Sequence, residues 1–387
     1  MKITHLCLAC FFPDGYSYQE NLLPKFHKRL GYEVEVIASL LTFGSNGEQA
    51  YMDHCDTYIN ENGIKVVRLD YRLDNKVSKK LQLFRGLYAA LENSEPDILF
   101  IHGCQFLDIK QVVKYLKNNP GIEVYVDNHA DYSNSATNLI SKYILHRIIW
   151  RHCAQLIEPF TTKFFGGGVL PARVDFLTEN YGLPSEKCSL LVMGADDDEV
   201  ARASGAASIM ATRNRLDLQT KDFVIVTGGK FDESKCQILA LMDAVAEIGG
   251  NVKLLIFGPV ASSLKVAFDK RLQEDRIIYL PWASTSESYD YFAIADLIVF
   301  PGRHSVYWEQ AAAMGKPLLV KRWAGTTHID CGGNVAYTSG DDAVALANDL
   351  ASLMEIEMLE SMKRNADRAK VVFLYSGIAK RSIGIGS

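Results

Sequence analysis

Short runs of consecutive apolar residues alternate along this chain with longer stretches whose apolar positions recur every three or four residues. Runs of the first kind read as buried strands and stretches of the second kind as helices packed on them, a pattern typical of parallel α/β sheets. In the first 130 residues the pattern predicts strands at 2–10, 33–38, 98–102 and 123–127, with helices at 19–30, 79–91 and 107–117. A helical stretch at 140–157, a Thr/Gly-rich segment at 161–168 and a short strand at 190–193 follow. From there to about residue 217 the chain is rich in small and polar residues and reads as a linker. Strand and helix then alternate again: strands at 223–226, 253–257, 276–280, 297–300 and 318–320, helices at 233–248, 262–273, 286–295, 306–314 and 341–354. The last 30 residues read as helical and basic.

Two α/β blocks in 387 residues suit two domains better than one core. The expected division is 1–200, 201–370 and a C-terminal helix over 371–387. The charged fraction is 22% and the net charge −5, so no positive field recruits nucleic acid. The opening apolar run is too short for a membrane span and lacks the small-residue cleavage site of a signal peptide, and no later run reaches spanning length. The expected location is the cytoplasm. Cys7 and Cys10 have C-x2-C spacing inside a strand with no second pair, which reads as buried thiols rather than a metal site.

Candidate chemistry lies where strands end, because open α/β sheets bind ligands at their carboxyl edge. After the strand at 223–226 comes Thr227-Gly228-Gly229-Lys230-Phe231-Asp232-Glu233-Ser234-Lys235. Two glycines permit close backbone approach, Asp232 can cap the next helix, and Lys230 and Lys235 add two cations: the parts of a diphosphate cradle. After the strand at 297–300 comes Pro301-Gly302-Arg303-His304-Ser305-Val306-Tyr307-Trp308-Glu309-Gln310. Here Ser305 is the expected N-cap, and the two oxygens of Glu309 suit the hydroxyls of a ribose. Gly258-Pro259 and Pro281-Trp282, after the intervening strands, could flank a base. In the first half, His129 within 126–131 follows a strand end and can face a sugar, flanked by Asp127 and Asp131. His102, at the preceding strand end, is the alternative. Gly15 marks a loop after the first strand. Asp196-Asp197-Asp198 invites a divalent cation, but its place in the linker favours a helix cap. The basic, aromatic stretch 142–151 and the cluster Lys76, Lys79, Lys80 and Arg85 are candidates for peripheral contact with an anionic membrane face.

The order Gly-Gly-Lys-x4-Lys, Phe-Gly-Pro, then His-Ser-Val-x-Trp-Glu-Gln-Ala-x3-Gly-x-Pro resembles the C-terminal domain of family-4 retaining glycosyltransferases. The resemblance implies a GT-B architecture, two facing Rossmann-like domains with an interdomain cleft, the second holding the donor. It implies hexosyl transfer from a UDP- or GDP-sugar to a glycan or lipid-linked acceptor in polysaccharide or glycoconjugate biosynthesis. Lys230 and Lys235 would hold the diphosphate without a metal or cofactor. Glu309 would bind the ribose and His129 the donor sugar, with Gly15, Gly228, Gly229, Gly258, Pro259, Pro281, Trp282, His304, Ser305 and Val306 completing the donor site. The final helix would return to the first domain. One departure stands out: the family carries a second Glu eight positions before the ribose residue, and here that position is Pro301, so His304 or Arg303 is the expected substitute. A sugar-nucleotide epimerase and a non-catalytic partner subunit are the alternative readings.

Overall fold

The computed structural model describes residues 1–43, 48–130, 140–168, 172–323 and 325–386; Asp131 lies outside these. The chain divides into two compact units, residues 1–192 with 378–387, and residues 193–377. The strand expected at 190–193 is Cys188–Val192, the edge of the first unit's sheet, so the division falls directly behind it.

Unit 1 is built on β1 (Lys2–Cys7), β2 (Glu33–Ser39), the hairpin β3 (Leu41–Phe43) and β4 (Gln49–Tyr51), β5 (Thr57–Ile59), β6 (Lys65–Leu69), β7 (Ile98–His102), β8 (Glu123–Asn128), β9 (Lys163–Gly168) and β10 (Cys188–Val192). Apart from the β3–β4 hairpin these make an eight-stranded sheet in the order β10-β9-β8-β7-β1-β2-β6-β5, parallel except for β5. Leu6, Ile37, Leu99, Ile101 and Val126 pack fully buried within its core. The strand order reverses between β1 and β7, which opens a crevice at the carboxyl edge.

Unit 2 repeats the plan with β11 (Phe223–Gly228), β12 (Val252–Phe257), β13 (Ile277–Leu280), β14 (Leu297–Phe300), β15 (Leu318–Val320) and β16 (Val335–Tyr337), all parallel, in the order β13-β12-β11-β14-β15-β16. The chain steps outward from β11 to β13, then places β14 on the other side of β11. The reversal therefore lies between β11 and β14, and the two loops with the richest candidate chemistry emerge side by side.

Several segments differ from expectation. The helix expected at 79–91 is two helices, Lys76–Leu81 and Leu87–Ser94, because Gln82 and Gly86 both take left-handed backbone. The supposed linker holds helices Asp197–Ala203 and Ala206–Arg215. Asp196 caps the first, its Oδ1 accepting from Asp198 N at 3.0 Å, so the aspartate run is a helix start. The Thr/Gly-rich segment is β9, where Gly166 is needed: a Cβ there would lie 2.7 Å from Val174 Cγ2. The helix expected at 233–248 begins with a short 3-10 turn, Glu233–Lys235, before Ile238–Ile248. Among the described residues no helix is long and apolar enough to cross a membrane.

Candidate functional site

The carboxyl ends of β11 and β14 form a small pocket bordered by Thr227, Gly228, Lys235, Phe300, Gly302 and Arg303. Gly228 is buried with its Cα against the Phe257 ring, which a Cβ would meet at 2.2 Å. Gly258 is tighter: its φ is +116°, and a Cβ would fall 2.1 Å from the carbonyl oxygen of Gly229. These glycines let the β11 and β12 ends pass within contact distance and leave the β11 edge bare. Gly258→Ala is expected to cost about 3 kcal/mol or more from backbone strain and the clash, read as a fall in urea midpoint; an unchanged midpoint would mean that the two turns are not fixed as described.

Lys235 reaches back over this edge, its Nζ 3.4 Å from the position a Cβ on Gly229 would take. It is half-buried, and among the described residues no carboxylate lies within ion-pair distance of it. Burial and then the nearby Arg303 guanidinium lower its pKa from the usual lysine value, with Asp232 opposing. Asp232 itself is held in the turn, its Oδ1 accepting from Ser234 N at 3.0 Å and from Ser234 Oγ at 2.6 Å. Two cations drawn together in a partly dry pocket, with the nearby Asp232 carboxylate tied to Ser234, favour an anionic ligand. Lys230 is exposed on the same loop.

Glu309 sits in the first turn of helix Tyr307–Ala313 and is fully buried. Its Oε1 accepts from His304 Nε2 at 3.0 Å and from His328 Nε2 at 2.8 Å, while Oε2 is buried with no hydrogen-bond partner among the described residues. Burial pushes its carboxyl up, but the charge and hydrogen bond of His304, then those of His328, outweigh this and hold it below the usual range. The sequence suggested an open, two-oxygen acceptor; the structure shows a carboxylate enclosed by two histidines. His328, on the short turn Thr327–Ile329 after β15, had no sequence signal beyond its own type. Two imidazoles and a carboxylate are a ligand set that a transition metal accepts, and their ligating atoms lie within 4.8 Å of one another.

Ser305 does not cap the helix. Trp308 N donates to the Ser305 carbonyl at 3.0 Å, and Ser305 Oγ is buried without a partner among the described residues, because the backbone turn places the side chain inward. Val306 is the residue preceding the helix and is half exposed. Pro259, Pro281 and Trp282 are exposed, Trp282 by 74%, so no pair of these encloses a base slot.

In unit 1, Gly15 takes φ +74° in an exposed turn, its N–H donating to Glu61 Oε1 at 3.1 Å. His129 follows β8, partly exposed, with Nε2 turned inward, 3.6 Å from Asp127 Oδ2 and 3.7 Å from Glu20 Oε1. Burial lowers its pKa, Asp127 and then Glu20 raise it, Arg173 opposes, and the net direction is upward. His102 is fully buried and donates from Nδ1 to Asp127 Oδ2 at 2.8 Å. Of the two histidines, His129 alone reaches the surface. Gln19 Nε2 donates to the same Asp127 oxygen at 2.9 Å; neither Gln19 nor Glu20 stood out in the sequence.

No family model and no curated protein matches the chain. Solved structures do share its fold. It is similar to a glycosyltransferase from Rickettsia africae at 13% identity and a TM-score of 0.66, covering 99% of this chain and 96% of that one. It is similar to Anabaena HepE in complex with UDP-glucose at 16% identity and a TM-score of 0.65, over 99% and 98%. A UDP-GlcNAc 2-epimerase from Neisseria meningitidis, bound to UDP-GlcNAc, matches at 14% identity and a TM-score of 0.61, over 99% and 97%. The fold, two Rossmann-like units of the GT-B type spanning the whole chain, is therefore one shared with glycosyltransferases and sugar-nucleotide epimerases.

Proposed function

We propose that this chain is a glycosyltransferase that moves a hexose-type sugar from a UDP- or GDP-sugar to a glycan or lipid-linked acceptor in polysaccharide or glycoconjugate biosynthesis, retaining the anomeric configuration. The observation that carries this reading is the Lys235 ammonium, half-buried beside Arg303 over the bare glycine edge where the second sheet reverses, with no carboxylate of the described residues within ion-pair distance. A departing nucleoside diphosphate concentrates negative charge as the sugar bond breaks. Preorganised cations in a site of low dielectric stabilise that charge more in the transition state than in the ground state. Lys235, Lys230 and Arg303 then do the work that a divalent cation does elsewhere, without a metal on the diphosphate.

Arg303 and His304 stand where the second Glu of the family pattern would begin its loop, and supply contacts in its place. Glu309 serves the ribose through Oε2, the buried oxygen that no described neighbour takes and that donor binding uncovers. His129 presents its ring at the carboxyl end of β8 with Nε2 turned toward Asp127 and Glu20, and contacts the donor sugar there. Tyr143, Ile144 and Ile148 are exposed on the helical stretch Ile140–Trp150 with Arg147 among them, a surface suited to meeting a lipid-linked acceptor at a membrane face.

The test is incubation of the full chain with a panel of UDP-, GDP- and ADP-sugars, with and without EDTA. Release of free nucleotide from one of them, undiminished by the chelator, is the expected result. An isomerised donor would replace this reading with an epimerase, and binding without turnover would replace it with a non-catalytic subunit.

A further inference from the structure

A line of three buried histidines runs through the core of unit 1. His27, on helix Gln19–Arg29, places Nε2 at 3.0 Å from both the Ala379 carbonyl and Ser382 Oγ. Its Nδ1 lies 3.0 Å from Nε2 of His5 on β1. Nδ1 of His5 lies 3.0 Å from Nε2 of His102 on β7, and His102 Nδ1 lies 2.8 Å from Asp127 Oδ2 on β8. All three rings and Asp127 are fully buried.

The protons on this line can be counted. Ala379 O only accepts, and Ser382 Oγ uses its own proton to donate to that same carbonyl at 2.9 Å, so His27 Nε2 carries a hydrogen. Each nitrogen–nitrogen contact needs one hydrogen: two would clash, and none would set lone pairs face to face. The contact with Asp127 needs one more. That makes four hydrogens, and three neutral imidazoles supply three. The line therefore holds one proton beyond neutrality, balanced by one carboxylate. The extra charge belongs on the ring beside Asp127, since an isolated buried charge is far more costly than a paired one. The surrounding charges point the same way. His102 is pushed up to about 9, with burial opposed by Asp127 and lesser help from Cys7 and Glu20. His5 is driven well down by burial and by its two histidine neighbours, and His27 down to about 4 chiefly by burial.

We infer that His102 is a positioning residue: a buried imidazolium, its tautomer set by His5 and His27, that holds Asp127 in place against His129, the ring read above as facing the donor sugar. The role of His129 rests on that reading; the charge and tautomer pattern does not. Asp127 Oδ2 is shared by Gln19, His102 and His129, so the position and charge of His129 answer to the far end of the line. Glu20 faces His129 from the helix side and Arg173 from beyond β9.

The test is long-range nitrogen NMR on the full chain labelled at its nine histidines. His5 and His27 are expected as neutral Nε2–H tautomers, and His102 as an imidazolium through pH 8. A neutral His102 at pH 7, or Nδ1–H tautomers at His5 and His27, would overturn the inference without any variant having to fold. The second arm reads the titration of His129. Asp127→Asn removes an anion beside it and should move its midpoint down by a pH unit or more. His102→Gln removes a cation from Asp127, leaves that carboxylate to His129 and should move the midpoint up. Shifts of the same sign, or none, would reduce the line to scaffolding. If both NMR arms come out as expected while no sugar nucleotide is turned over, the glycosyltransferase reading fails and the positioning network stands.

Discussion

Lys235→Ala is expected to lower turnover on the preferred nucleotide sugar by about a hundredfold or more, the usual consequence of losing one preorganised charge stabiliser at a transition state. The loss should fall mainly on kcat. Lys235 sits over Gly229 with no ion pair to any described residue, so its removal relieves a desolvated cation and should leave the unfolding midpoint unchanged or slightly raised. A mere packing lysine would show the opposite pattern: intact kcat and a lowered midpoint. Lys235→Arg restores charge but not shape, and partial recovery of kcat would separate electrostatics from side-chain fit.

The second large effect concerns pH. His27 has a folded pKa of about 4, below its unfolded value near 6.5, so its contribution is fully present above 6.5 and is lost as pH falls toward 4. His102 has a folded pKa of about 9, above its unfolded value, so its contribution is fully present below 6.5 and is lost as pH rises through 9. Each limb amounts to roughly 3 kcal/mol, since displacing a pKa by one pH unit is worth about 1.36 kcal/mol. The chain should be most resistant to urea near pH 6.5 and weaken on both sides. His27→Gln can still donate to Ala379 and accept from His5 but does not titrate, so it should shrink the acid limb, leaving the shares of His5 and His146, and spare the alkaline one. Asp127→Asn should flatten the alkaline limb and lower the midpoint near neutrality. A urea midpoint that is level from pH 5 to 9 would contradict both assignments.

The sheet strands were legible because β11 and β14 are continuous apolar runs, Val224-Ile225-Val226 and Leu297-Ile298-Val299-Phe300, buried throughout. A doubly wound sheet follows from the alternation of such runs with helices, and the reversal between β11 and β14 brings together the glycines, Lys235 and Arg303, which the sequence marked separately. β9 was hidden because its three glycines have low strand propensity, and Gly166 is there for closeness to Val174 rather than for flexibility. Helices Asp197–Ala203 and Ala206–Arg215 lack a strong apolar stripe and are fixed instead by the Asp196 cap and by Arg202, which reaches Asp290 at 2.7 Å. The enclosure of Glu309 was illegible since His328 arrives from 19 residues on. The histidine line has no spacing signature at all. His5, His27 and His102 meet only because β1 and β7 are neighbours and the helix at 19–29 lies against them. One local clue existed: His5 and His102 interrupt apolar strand runs, and a polar residue there must find a buried partner.

The segment 378–387 reaches His27 through Ala379 and Ser382, and the Tyr125 hydroxyl donates to the Ile383 carbonyl at 3.1 Å. The ribosome makes these residues after the whole of unit 2. Unit 1 is thus first in synthesis yet cannot satisfy His27 until residues 379–382 have been made, so its final consolidation follows synthesis of the second unit. Released chains ending at residue 377 should therefore show a protease-resistant second unit and a first unit that is still cleavable.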